Sequence, residues 1–201
     1  MARAFGAGDV GIAARDERWM YTAKMSDMSG IERPLDIPSA LDNVIVIVMP
    51  MDRELLATVP SALSGAATGW GYSHDTMTLL AVTQYLRNLG YEAIASANDS
   101  ALAVPLAIKA GLGEYGRLGL LITPEFGPRV RLGKIFTDLP LARDAPRGFG
   151  VRAFCEICHA CSDGCPVKAV PNGPPGLPPP GPSYLRGVIK WTVDAEKCFG
   201  Y

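Results

Sequence analysis

Cys155, Cys158, Cys161 and Cys165, with Pro166 directly after, spell C-x2-C-x2-C-x3-C-P. Gaps of two residues let one tight loop present three thiolates to a cubane, and the Cys-Pro step turns the chain away. In two-cluster ferredoxins the fourth cysteine of such a run ligates the other cluster. The run therefore calls for a second cysteine group, and Cys198 stands where that group should open. The rest of it is expected after Tyr201, so the sequence reads as cut off within its second cluster motif. Disulfides suit small, loop-rich domains in oxidising compartments, whereas this chain is 48% hydrophobic and long enough for an ordinary core. Zinc usually takes two separated C-x2-C knuckles, or a knuckle with histidines; it is the lesser alternative. His159 lies inside the loop, between ligands, where a side chain generally points away from the metal. The expected metal ligands are Cys155, Cys158, Cys161, Cys165 and Cys198, in an electron-transfer protein or domain.

Composition narrows the partners. The net charge is −1 and no Lys/Arg-rich run is present, so nothing supplies the basic field that nucleic acid requires. The longest strong apolar stretch, Val44 to Met51, is strand-sized and too short to span a bilayer. No secretory or twin-arginine signal opens the chain.

Two regions differ in character. Residues 1–150 alternate strand and helix patterns and read as a mixed α/β core with a covered sheet. Asn43 to Pro50 is a continuous β-branched run, hence a buried strand. Val82, Tyr85, Leu86 and Leu89 keep helical spacing, which predicts a helix from Ser73 to Leu89, capped by Ser73 and ended by Gly90. Tyr91 to Ser96 predicts a strand and Ala101 to Ala110 a short helix stopped by Gly111. Gly119 to Thr123 and Arg129 to Thr137 predict two strands joined by a Pro-Glu-Phe-Gly-Pro turn. Residues 151–201 hold the cysteines and the proline-rich run Pro171 to Pro182, expected to be an exposed connection. Glycines 111, 113, 116 and 119 do not make a G-x-G-x-x-G fingerprint between a strand and a helix. They are expected to let the backbone approach a large flat cofactor.

Beside this reading stands a resemblance. Gly71-Tyr72-Ser73, Leu89-Gly90-Tyr91-Glu-Ala-Ile94, Asn98-Asp99, Ala110-Gly-Leu-Gly-Glu114, Gly116-Arg117 and Gly119 through Arg129 follow in an order that resembles the cobalamin-dependent reductive dehalogenases. Thr137-Asp-Leu-Pro140, Phe154-Cys155 and Val193-Asp-Ala-Glu-Lys-Cys198 fit the same family. Several of these blocks are shared with epoxyqueuosine reductases; the Gly-Tyr-Ser step favours the dehalogenases.

The resemblance implies an α+β, nitroreductase-like corrinoid-binding core over residues 1–150, itself N-terminally incomplete. It implies an incomplete ferredoxin-like segment over residues 151–201. It also implies a cobalamin and two 4Fe-4S clusters, an organohalide substrate, an electron donor and a small membrane-anchor subunit. For respiratory members the expected location is the outer face of the cytoplasmic membrane. Tyr72 matches the family's proton donor: a phenol, with an ordinary pKa near ~10, is protonated at neutral pH. Arg131 matches the neighbouring cation, two residues after Arg129 and so on the same face of a strand. Asn98 matches a position near the reacting centre. Asp75 keeps alive the alternative of a tRNA-modifying epoxyqueuosine reductase, whose family uses an acidic donor nearby; His74 and Asp75 are also a candidate relay. A non-catalytic iron–sulfur electron carrier is the remaining alternative.

Overall fold

A β-branched run with no polar face can lie only where both sides of a sheet are covered. Asn43–Pro50 does so: its first seven residues are buried, with Val44, Val46 and Val48 on one face and Ile45 and Ile47 on the other. The computed structural model describes residues 1–26, 31–181 and 184–201. In chain order the strands are β1 (Asp9–Ala14), β2 (Ala23–Ser26), β3 (Ile31–Pro34), β4 (Asn43–Pro50), β5 (Ala93–Ser96), β6 (Glu114–Tyr115), β7 (Leu121–Ile122) and β8 (Val130–Thr137). The helices are α1 (Arg53–Leu56), α2 (Ala62–Asn88), α3 (Ala103–Lys109), α4 (Val151–Ile157), α5 (Ala160–Asp163) and α6 (Ala195–Phe199). The main sheet runs β1-β4-β8-β5, with every neighbouring pair antiparallel.

One helix covers each face. α3 closes the Val44, Val46, Val48 and Phe136 side with Leu106 and Ala107. α2 closes the Ile45, Ile47 and Ile135 side with Leu79, Val82 and Leu86. The mixed α/β architecture with a covered sheet is therefore as the sequence pattern predicts. Among the described residues no helix is long and apolar enough to cross a membrane.

Several local expectations change. α2 begins at Ala62 rather than Ser73, and Ser61 caps it through a reciprocal pair with Ser64. The first four turns escape periodicity because the face they bury is small or polar: Ser64, Ala67, Gly71 and Asp75. Burial of large apolar side chains starts only at Leu79. Tyr72 thus lies within a helix rather than ahead of one. The Pro-Glu-Phe-Gly turn closes on itself through Thr123 and Gly127, and the strands on either side join different sheets. β7 pairs with β6, β8 with β4 and β5. Arg129 falls just outside β8, where it donates to the Met51 carbonyl at 3.0 Å. β5 and α3 are each shorter than predicted.

The glycines serve internal packing. A Cβ on Gly113 would stand 2.4 Å from the Ile122 carbonyl oxygen, and one on Gly116 2.6 Å from the Ile122 side chain. The close approach that Gly113 and Gly116 allow among the described residues is to Ile122 of β7. The proline-rich run is mostly exposed, yet Gly176 bridges Lys190 and the carbonyls of Pro171 and Gly173 accept hydrogen bonds from the core. Pro182, at its end, lies outside the described residues.

Gly133 of β8 sets how closely α2 lies on the sheet. A Cβ there would meet Asp75 Oδ1 at 2.6 Å and the Leu79 methyls at 2.9 and 3.0 Å. Gly133→Ala should force α2 outward and destabilise the fold by about 1–3 kcal/mol. Chemical denaturation should show a lower midpoint with an unchanged slope.

Candidate functional site

Tyr72 and Arg131, 59 residues apart in sequence, meet face to face. Tyr72 projects from α2 and Arg131 from β8, and the Arg131 Cζ lies 3.4 Å from the centre of the Tyr72 ring. Two features make the contact. Arg131 shares its face of β8 with Gly133, the face that α2 covers, because alternate strand residues point the same way. Gly71, next to Tyr72, is buried against the Arg131 stem: a Cβ there would stand 3.3 Å from Arg131 Cγ and 3.2 Å from Met51 Cγ. The tyrosine is 43% exposed, so the stacked pair lies at the surface of the described residues.

Asp75 follows one turn after Tyr72 and is 4% exposed. Its Oδ1 has no hydrogen-bond partner among the described residues. Burial pushes its carboxyl up, while the charges of Lys134 and Arg131, then His74, pull it back. Lys134 is fully buried and donates to the Ala97 carbonyl. Burial pushes it down to about 8, against the opposing pull of Asp99 and Asp75. His74 turns elsewhere: its ring lies against Gly6 and 5.6 Å from that of Trp70.

Asn98 lies in the loop after β5. Ser96 pairs with Lys134, so Asn98, two residues on, comes to the same end of the sheet as Arg131. It is exposed and lines a cavity of about 810 Å³. Trp19, Leu102, Ile108, Val188 and Ile189 furnish apolar wall, and Arg152 and Lys190 add positive charge. Tyr72 and Arg131 are not among its lining residues. The structure thus joins two of the three predicted catalytic residues in contact and sets the third at the same sheet end.

The cysteines fall on short helices and turns packed against β6. Cys155 is buried near the end of α4, Cys158 and Cys161 flank the start of α5, and Cys165 follows it. All five cysteines are free thiols. Among the described residues no three His, Cys, Asp or Glu side chains stand together closely enough to grip one ion; a cubane asks for a wider tetrahedron. Backbone N–H groups of Val170 and Ala169 lower the Cys165 thiol, with those of Val167 and Lys168 adding to them. The Ala169 N–H reaches its Sγ at 3.3 Å. Such a nest of amides favours a thiolate, which is the form that iron binds. Burial pushes the Cys161 thiol up. Cys198, in α6, is exposed. Asp194, which caps α6, donates its N–H to the Ala169 carbonyl at 2.9 Å, tying the Cys198 helix to the turn around Cys165.

A model of the reductive dehalogenase subunit family matches residues 33–141, more than half of the chain. The chain belongs to this family. The tetrachloroethene reductive dehalogenase of Desulfitobacterium hafniense is 38% identical over 98% of the chain, and that of Sulfurospirillum multivorans 37% identical over its whole length. The chain spans only 42% and 45% of these two relatives. The solved catabolic reductive dehalogenase NpRdhA superposes over the whole chain with a TM-score of 0.81 at 26% identity, the chain covering 28% of it. Epoxyqueuosine reductase from Streptococcus thermophilus superposes with a TM-score of 0.56 at 17% identity, a likeness of fold alone.

Sequence reasoning missed what bolts the cysteine segment of this reductive dehalogenase chain to its core. The Glu114 carboxylate accepts the Phe149 and Val151 N–H groups at the entrance to α4. The Tyr115 hydroxyl donates to the Trp191 carbonyl at 2.9 Å. The buried Arg117 donates to three carbonyls of the cysteine segment. The signal was present in the Gly-Glu-Tyr-Gly-Arg block, but no periodicity announces a carbonyl clamp.

Lys134 gives this core a pH dependence of known sign. Its folded pKa lies below the ordinary lysine value of 10.5, so between pH 8 and 10 the unfolded chain binds more protons than the native one. Stability from this group therefore rises with pH across that window, by an amount on the order of 2–3 kcal/mol. Below pH 8 the burial penalty on the charged amine stands in full. Lys134→Met should flatten the slope of stability against pH between 8 and 10, measured by denaturant unfolding at a series of pH values.

Proposed function

We propose that this chain carries the proton-delivery site and part of the cluster-holding segment of an enzyme that reductively removes halide from an organohalide. The observation that carries the reading is the Arg131 guanidinium stacked 3.4 Å from the centre of the Tyr72 ring, in a chain of the reductive dehalogenase family. A corrinoid, when bound, supplies low-valent cobalt for the reduction, and iron–sulfur clusters supply its electrons. The apolar walls and polar rim of the 810 Å³ cavity suit the edge of such a group, and Asn98 is placed to donate to it or to substrate. Cys155, Cys158 and Cys161 would hold one 4Fe-4S cluster. Cys165 and Cys198 would contribute to the other, a division that the tie between the Cys165 turn and α6 supports. In this reading the core is the nitroreductase-like corrinoid domain and the segment after it is ferredoxin-like.

The chemistry of the pair follows from its stacking. As the carbon–halogen bond breaks with uptake of two electrons and halide departs, Tyr72 would give its phenolic proton to that carbon. The negative charge left behind spreads into the ring, directly beneath a cation that cannot be deprotonated. Charge is thus stabilised where it develops, by a group already in place. The tetrachloroethene enzymes named above make chlorinated ethenes the first substrates to assay. Location at the outer face of the cytoplasmic membrane, through an anchor subunit, accompanies this reading and is decided by cell fractionation.

Tyr72→Phe in the full-length protein keeps the ring and its packing but removes the proton. Turnover should fall about 10²–10⁴-fold, while corrinoid and iron content stay at wild-type levels. Arg131→Lys should also impair turnover, because a point charge replaces a planar stacked cation. Near-normal dehalogenation by the Tyr72 variant with cofactors intact would move the donor role to Asp75 or water. Stoichiometric zinc with little iron in the purified protein would overturn the cluster reading.

A further inference from the structure

Arg117 is 1% exposed, one of the two largest wholly buried side chains among the described residues. Its Nε and Nη2 donate to the Cys155 carbonyl at 3.0 and 2.6 Å. Its Nη1 donates to the carbonyls of Pro171 and Gly173 at 3.0 and 2.8 Å. Trp191, itself buried, lies alongside with its ring centre 5.0 Å from Cζ and donates its own indole N–H to the Gly173 carbonyl. Every one of these partners is neutral. The ion pairs among the described residues include none to Arg117.

That is an unusual place for a cation. Arginine stays protonated inside proteins, and a buried charge is ordinarily paired or set against a metal group. The carbonyls satisfy its hydrogen bonds but leave its charge uncompensated. The other fully buried cation among the described residues, Lys134, has Asp75 and Asp99 acting on it; among those residues no carboxylate lies within ion-pair distance of Arg117. Yet two of its N–H groups end on the first cysteine of the cluster loop. A cubane with four thiolates carries net negative charge, and one-electron reduction adds to it.

We propose that Arg117 is the built-in counter-ion of the cluster held by Cys155, Cys158 and Cys161, and that it raises the reduction potential of that cluster. The inference rests on the iron–sulfur reading given above. Net charge and hydrogen bonding around a cluster are among the terms that set its potential. A cation fixed by four hydrogen bonds acts without rearranging when the electron arrives. Arg117 acts through the cluster beside Cys155 and is a tuning residue. A purely structural clamp would also use arginine, the one side chain with a five-donor fork, so the test has to separate the charge from the hydrogen bonds.

The test uses the full-length protein reconstituted anaerobically with iron and sulfide, followed by redox titration monitored by electron paramagnetic resonance. Wild type must first fill with about eight irons; failure there would overturn the cluster reading and this proposal with it, before any variant is made. Arg117→Lys, which keeps the charge, should leave both potentials close to wild type. Arg117→Gln should lower the potential of one cluster and spare the other. The shift should be at least tenfold in the reduction equilibrium, about 59 mV for a one-electron couple. If Arg117→Gln fails to fill one cluster while Arg117→Lys fills both, the requirement for charge is again supported. Wild-type potentials in Arg117→Gln would overturn the proposal. So would equal impairment of the two variants, because the forked hydrogen bonds and not the charge would then be what matters.

Discussion

The arrangement of this chain turns on a short stretch, Glu114 to Arg117, in which one acid, one phenol and one cation reach from the α/β core into the cysteine segment. Glu114 takes the free N–H groups at the entrance to α4, where a helix leaves its first donors without partners. Tyr115 and Arg117 take carbonyls that the irregular, proline-broken backbone cannot satisfy within itself. A segment with so little regular structure has few ways to fix its position. Polar groups sent out from a rigid neighbour supply what helix and sheet ladders do elsewhere. The cysteines are thus placed by the core more than by their own loop.

The second constraint is closeness between α2 and the sheet. Gly71 and Gly133 remove side chains where the helix crosses β8, and the buried face of the first turns of α2 carries serine, alanine and aspartate instead of leucine. The gap left is filled by the Arg131 stem and by Asp75. Low helix propensity at Gly71 is the cost of bringing an arginine beneath a tyrosine. Farther along, Leu79, Val82 and Leu86 restore an ordinary apolar contact and hold the helix down. The polar end of the helix carries the candidate chemistry, and the apolar end anchors it.

Much of this could be read from residues alone. The Val44 to Met51 run identified the central strand because only a covered strand tolerates apolar residues on both faces. The later half of α2 showed helical spacing, and the cysteine run set the expectation of a cluster through ligand type and gap length. What escaped followed from the same physics. The start of α2 has no large apolar stripe, β6 and β7 are two residues each, and the glycines flanking β6 pack against Ile122 of β7. Expected neighbours in sequence, such as the two halves of the Pro-Glu-Phe-Gly turn, went to different sheets because register is settled by long-range pairing.

The sequence by itself determined the class of the protein: an α/β core, a thiolate-rich segment, and the family to which the order of its blocks belongs. These depend on residue type, spacing and order along the chain. Tertiary structure decided which side chains meet. That Arg131 lies over the ring of Tyr72 and that Asp75 rests on Gly133 follow from the register of β8 in the sheet and from how near a glycine lets a helix come. That Arg117 sits buried against the Cys155 carbonyl follows from where β6 ends. Such contacts join residues tens of positions apart, so no local pattern encodes them.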